Sequence, residues 1–260
     1  SDTILGFKIA HYWTTQPYDS IHTPWANVDA VMKAGRAADL PVMFDWYPRV
    51  ASGGYPARTY RELILEKSRP GDIHTHCFAR HIPVLTENGE VNPDIFKAQE
   101  RGFIFDLGHG AGSFVYRNAV PAIKQGYIPD SFGTDMHRGN VNGPVINMSF
   151  VISKMLNIGV PLAEVIRRST VNPARIMRRP ELGTLTEGRV ADIAIFDVQK
   201  GSYCYLDTSG GKFCGDRIVR PLLTMAGGKV VFDPTGLTYP IWEKIPKDDD
   251  YWVNPSGQFF

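Results

Sequence analysis

Several absences narrow what this sequence can be. Only three cysteines occur in 260 residues, Cys77, Cys204 and Cys214, and none forms a C-x-x-C pair. Neither a disulfide framework nor a thiolate metal knuckle is expected from them. That usage suits a reducing compartment and favours a cytoplasmic location. Charge of one sign is also missing: 28 Lys and Arg stand against 27 Asp and Glu, a formal +1. A balance so close to zero supplies no bulk attraction to nucleic acid or an anionic membrane. No apolar run approaches the roughly 20 residues needed to span a bilayer. Glycines number 25, yet no strand is followed by G-x-G-x-x-G or a phosphate-loop lysine, which argues against an open-sheet nucleotide binder. The opening "SDTILGFKIA" has no initiator Met and no basic-then-apolar leader, so it reads as the middle of a longer sequence.

What is present is a repeat of strand and helix. Short apolar runs occur at 3–10, 41–47, 72–78, 102–108 and 131–137, about thirty residues apart, the length of a strand-loop-helix unit. Helical patterns fill the intervals: Val28–Ala38, Thr59–Lys67, Pro93–Arg101 and Asn118–Gln125, with three more at Val145–Leu156, Pro161–Arg168 and Pro173–Arg179. Such alternation predicts a parallel α/β sheet, open or closed into a barrel. From Gly183 the pattern changes to strand-turn-strand, with Ala191, Ile193 and Ile195 alternating, and then to a hairpin around Gly227-Gly228. The division is therefore residues 1–180 as an α/β domain, 181–235 as a small β module, and 236–260 as an irregular tail.

Ligands of parallel α/β folds bind at the carboxyl ends of the strands, and each run carries ionisable residues there. Lys8, Asp45, His76, Asp106 with His109, and Asp135 with His137 fall in the five runs in order. Any one of these could merely cap a helix; five in succession are less readily dismissed. Lys8, inside an otherwise apolar strand, is costly to bury as a cation. It is expected to be neutralised, paired or modified, unless it snorkels to the rim. Asp135, before the glycine-rich "RGNVNGP", suits a general base or a hard metal ligand. In "GDIHTHCFAR", the alternation of a strand would put His74 and His76 on one face, either as a metal pincer or as one functional histidine beside a bystander.

In this order and spacing the runs resemble the amidohydrolase superfamily, in its amidohydrolase/deacetylase branch related to dihydroorotases, over most of the chain to about residue 235. "ILGFKI" is similar to the strand whose lysine becomes carboxylated and bridges two metals. "PVMFDW", "GDIHTHCF", "FDLGHGAGSF" and "SFGTDMH" are similar to the four strands that follow it. "LGTLTEGRVADIAIFD" and "TMAGGKVV" resemble the family's small β-sandwich. The resemblance implies the last five βα units of a TIM-type (β/α)8 barrel plus part of a β-sandwich. It implies one or two divalent ions, zinc by preference, held by Lys8, His76, Asp45 and Asp135. Asp135 would activate the attacking water and then protonate the leaving nitrogen. His109, Gly110 and His137 would contact or frame a small-molecule substrate, and His74 becomes a packing neighbour of His76. The implied chemistry is metal-dependent hydrolysis of amide, related C–N or ester bonds in small acylated or cyclic substrates.

Two departures stand against that pattern. Asp45 occupies the position where the family carries a histidine ligand, and no H-x-H strand precedes Lys8. A closed barrel needs eight strands. Either the missing part is supplied by an N-terminal segment or another chain, or the five strands form an open sheet, and unpaired sheet edges would promote association, including a homo-oligomer. The competing reading is a catalytically inactive relative that binds or scaffolds.

Overall fold

A computed structural model describes residues 3–10 and 17–245. Among them the chain divides into two compact units. One runs to Arg189 and takes in Val198–Val219, and the other consists of Val190–Asp197 and the residues from Arg220 on.

The first unit is built on a four-stranded parallel sheet in the order β1 (Phe7–Ile9), β2 (Val42–Phe44), β3 (Ile73–His74) and β4 (Ile104–Phe105). Between and after the strands come α1 (Ala26–Ala38), a π-helical turn at Glu62–Lys67, α2 (Pro93–Glu100), α3 (Tyr116–Lys124), α4 (Met148–Asn157), α5 (Leu162–Ser169) and α6 (Val171–Ile176). Seven expected helical segments are thus found within a few residues of their predicted bounds. The fifth apolar run forms no strand. It lies beside β4 through a parallel bridge between Asp106 and Ser131, extended by Leu107 N–H to Ser131 O and His109 N–H to Gly133 O.

Register fixes what each face carries. Ile9, Phe44, His74 and Phe105 form one cross-strand row, and Lys8, Met43, Ile73 and Ile104 stand in register on the opposite face. The first row meets the helices: Val42, Phe44 and Phe105 are fully buried with Ile64, Ile95, Ala98 and Ala119. Burying each large side chain of that layer is worth about 1.5–3 kcal/mol. Local signals start the helices, with Asn92 capping α2 ahead of Pro93 and Asn147 capping α4. The amino end of α3 is capped from afar, because Asp207 Oδ2 accepts from Tyr116 N–H at 3.1 Å.

Three strands, β5 (Ile193–Leu206), β6 (Lys212–Ala226) and β7 (Lys229–Phe232), make a second sheet in that order. The expected hairpin is there: Gly227 and Gly228 both have positive φ, 55° and 80°, and link β6 to β7. The strand expected before Ala191 is not; residues 184–192 lack regular structure, and β5 instead continues to Leu206. Facing positions near the β5–β6 turn bring Cys204 and Cys214 into a disulfide, leaving Cys77 as a buried free thiol. This corrects the expectation of unpaired cysteines and removes its argument for a reducing compartment. No helix of the described residues is long and apolar enough to cross a membrane. The irregular tail expected over 236–260 is described only to Ile245, where a short 3-10 turn spans Trp242–Lys244; residues 246–260 lie outside the described residues.

Candidate active site

The carboxyl ends of β2 and β3 place Asp45 and His76 side by side. Asp45 continues the face of Met43, and its N–H bonds to Ile9 O at 3.1 Å. β3 ends at His74, and His76 takes a left-handed backbone with φ 62°, a conformation uncommon outside glycine. That reversal turns the imidazole toward Asp45. Nδ1 lies 3.2 Å from Asp45 Oδ2, and Nε2 lies 3.3 Å from Asp135 Oδ2. Asp135 is also left-handed, φ 45°. Two strained residues meeting at one point mark a site the surroundings hold in place.

The two carboxylates differ in access. The Asp45 side chain is 4% exposed and that of Asp135 is 45% exposed, so only the Nε2 side of His76 faces open space. Burial alone would pull the His76 pKa down. The hydrogen bond and charge of Asp45, helped by Asp135, outweigh it and the shift is upward. Behind His76, Asp106 is fixed by Thr75 Oγ1 at 2.8 Å and Ser131 Oγ at 2.6 Å. Burial raises its pKa and those two hydroxyls oppose the rise.

Gly110 packs directly against this centre. Its φ is 54°, and a Cβ there would stand 2.8 Å from Asp135 Oδ2, so a side chain would displace the carboxylate. Its N–H is spent on Thr134 O and its carbonyl on His109 Nδ1. His109 and Gly110, expected to contact substrate, thus have these polar groups bonded within the protein. His109 is fully buried, stacked on Phe114, with Nε2 held by Lys154 Nζ at 2.8 Å, so it presents no ring nitrogen outward. His137 lies exposed in the next loop, where Nδ1 accepts from Gly139 N–H and the backbone N–H bonds Asn140 Oδ1. Asn140 Nδ2 in turn holds Asp135 O at 2.9 Å.

Two further expectations change. Lys8 is exposed in β1 of this structure and shares the sheet face of Met43, below Asp45. His74 does not share a face with His76. It is buried in the helix-facing layer, stacked on Phe105 with Tyr60 edge-on.

Among the described residues, no group of three or more His, Cys, Asp or Glu forms a ready metal cage. Two donors do fit an ion. Tetrahedral zinc with bonds near 2.0–2.1 Å sets its ligand atoms about 3.3–3.4 Å apart. His76 Nε2 and Asp135 Oδ2 stand 3.3 Å apart. Asp45, expected as a co-ligand, lies against the other ring nitrogen, Nδ1, at 3.2 Å.

The comparisons with known proteins agree with this architecture. The model of the amidohydrolase family matches residues 114–231. A deacetylase of Brucella anthropi is 32% identical over 188 residues, covering 71% of this chain and 46% of its own length. A deacetylase of Enterococcus faecalis is 31% identical over 177 residues, 67% of this chain and 48% of that protein. The crystal structure of an adenine deaminase superposes with a TM-score of 0.75 at 25% identity, over 89% of this chain and 61% of that one. The chain belongs to the amidohydrolase superfamily. A dihydroorotase structure gives a TM-score of 0.69 at 26% identity, covering 88% of this amidohydrolase chain and 59% of the other. The parallel sheet and separate antiparallel sheet are consistent with part of a barrel of that kind. The chain spans about half the length of the curated relatives it matches.

Lys154, Asn140 and Asp207 support the site and were not singled out from sequence. The visible signal was a lysine inside the apolar helix "NMSFVISKML".

Proposed function

We propose that this chain carries the proton-transfer group and part of the metal site of a hydrolase acting on amide or related C–N bonds, or esters, in small acylated or cyclic substrates. The observation that carries the reading is His76 held between a buried Asp45 and an accessible Asp135 at the carboxyl ends of the strands. The similarity to deacetylases supports the C–N bond class.

His76 Nε2 and Asp135 would hold a divalent ion, zinc by preference, with Lys8 as a third donor if carboxylated. When bound, such an ion polarises the scissile carbonyl and lowers the pKa of water. Asp45, on Nδ1, keeps the ring oriented and favours the tautomer with a bare Nε2. Asp135 takes a proton from the attacking water and delivers it to the leaving nitrogen, a shuttle its exposed carboxylate and fixed backbone allow. A cleft of about 280 Å³ is lined by Arg80, His81, Gly112 and Thr208, from the loops that follow β3 and β4 and the β5–β6 turn. None of Asp45, His76 and Asp135 lines it.

The inactive-scaffold reading rests on Asp45 and on the absent first strands; an Asp45 that orients a working histidine would remove the first of these supports. The test is acetate release from N-acetylated amino acids by the gene product carrying this sequence. Release that needs zinc and disappears in Asp135→Asn is expected; equal release by Asp135→Asn overturns the role of Asp135.

A further inference from the structure

Lys154 is an anomaly the proposed chemistry does not use. It lies in the middle of α4, is fully buried, and no ion pair is found for it among the described residues. Its Nζ meets three acceptors: His109 Nε2 at 2.8 Å, Pro144 O at 2.6 Å and Leu206 O at 2.7 Å. An ammonium has three hydrogens and no acceptor capacity, so this cradle satisfies it in full. Burying an unpaired amine in an apolar helix is expensive; the arrangement calls for a purpose.

We propose that Lys154 is a positioning residue for Asp135, gripping the two loops that flank that carboxylate. The inference rests on Asp135 being the proton-transfer group. On one side, His109 Nδ1 is 3.0 Å from Gly110 O. A carbonyl only accepts, so Nδ1 carries the hydrogen, and the bare Nε2 accepts from Lys154. The same loop donates His109 N–H to Gly133 O and Gly110 N–H to Thr134 O, both at 3.1 Å, immediately before Asp135. Gly110 then backs the Asp135 carboxylate. On the other side, Pro144 O belongs to the turn organised by Asn140, whose carbonyl accepts from Gly143, Val145 and Ile146 N–H and whose amide holds Asp135 O. One cation thus pins the loop before Asp135 and the loop after it. Leu206 O adds the end of β5, where Asp207 supplies the neighbouring negative charge and caps α3. Burial pulls the Lys154 pKa down to about 7 while Asp207 opposes the fall.

The test has a part that needs no catalysis. Long-range ¹H–¹⁵N correlation on the unmodified chain should show His109 as the Nδ1–H tautomer at pH 7; the Nε2–H tautomer or an imidazolium overturns the proposal even if variants fail to fold. In Lys154→Met, amide exchange at His109, Gly110, Val145 and Ile146 should rise about tenfold or more, as loss of hydrogen bonds to a charged group implies. The Thr75 amide, bonded to Phe44 O in the sheet, should keep its protection. Lys154→Gln, which retains two donors, should recover most of the protection. Unchanged exchange in Lys154→Met, or an equal rise at Thr75, contradicts the proposal. Should Asp135→Asn prove fully active while these results hold, the role of Asp135 fails and the grip of Lys154 on the loops stands.

Discussion

His74 and His76 are two residues apart and point to opposite faces of the sheet. His74 stacks on Phe105 among the helices, and His76 reaches Asp45 and Asp135 at the strand ends. Strand alternation alone would have aligned them. The left-handed backbone at His76 breaks the alternation, so one histidine is structural and the other is available for chemistry.

That difference predicts their effects on stability. Both ring nitrogens of His74 lack a hydrogen-bond partner among the described residues, and burial pulls its pKa down to about 4. A depressed histidine pKa means the native state refuses a proton the unfolded chain accepts. The stability from neutral His74 is therefore complete above about pH 6.5 and lost as pH falls toward 4, amounting to about 3 kcal/mol at the lower end. His74→Phe should leave stability at pH 7 unchanged or higher and move the acid-unfolding midpoint down by about half a pH unit or more. Circular dichroism against pH checks this; an unmoved midpoint contradicts it.

Asp45→Asn should keep the fold and weaken zinc binding by about 10–100-fold, the usual effect of losing a carboxylate behind a ligand histidine. Calorimetric titration measures it. If Asp45 were itself a first ligand of the same ion, Asp45→Ala and His76→Ala would abolish binding alike.

Asp106 should matter to folding more than to chemistry. It accepts from Thr75 and Ser131 and so ties β3, β4 and the run after them. Asp106→Ala leaves two hydroxyls without their acceptor and should cost about 2–4 kcal/mol, read from urea unfolding. A loss under about 0.5 kcal/mol, the level of an ordinary surface change, would show that the tie is dispensable.

The Cys204–Cys214 bond closes a ten-residue separation across the β5–β6 turn. Chain entropy puts its contribution at about 2–3 kcal/mol. Thermal unfolding of the Cys204→Ser, Cys214→Ser double variant should show a lower Tm. Free thiols at both positions in the purified native protein would contradict the bond.

Much of this fold was legible because periodicity encodes it. Helices α1 to α6 follow apolar spacing and caps such as Asn92 and Asn147, and glycine pairs marked the β6–β7 turn. The Asp45, His76 and Asp135 cluster was legible as polar residues at strand ends. What escaped depends on contacts distant in sequence. Lys8 lies in an apolar strand yet is exposed in β1 of this structure. His109 sits in a glycine-rich loop that suggested substrate contact, and only α4 supplies the lysine that occupies its ring. The disulfide escaped because β5 runs past Gly201, through residues with no alternating pattern.

In the function proposed above, His76 Nε2 and Asp135 would together form a divalent-metal edge oriented by Asp45. Zinc titration of the chain followed by ¹⁵N resonances of the His76 ring tests it most directly. Zinc should shift Nε2 far more than Nδ1, and Asp135→Ala should weaken this response by about tenfold or more. A zinc response that leaves His76 untouched, or one undiminished in Asp135→Ala, would contradict it.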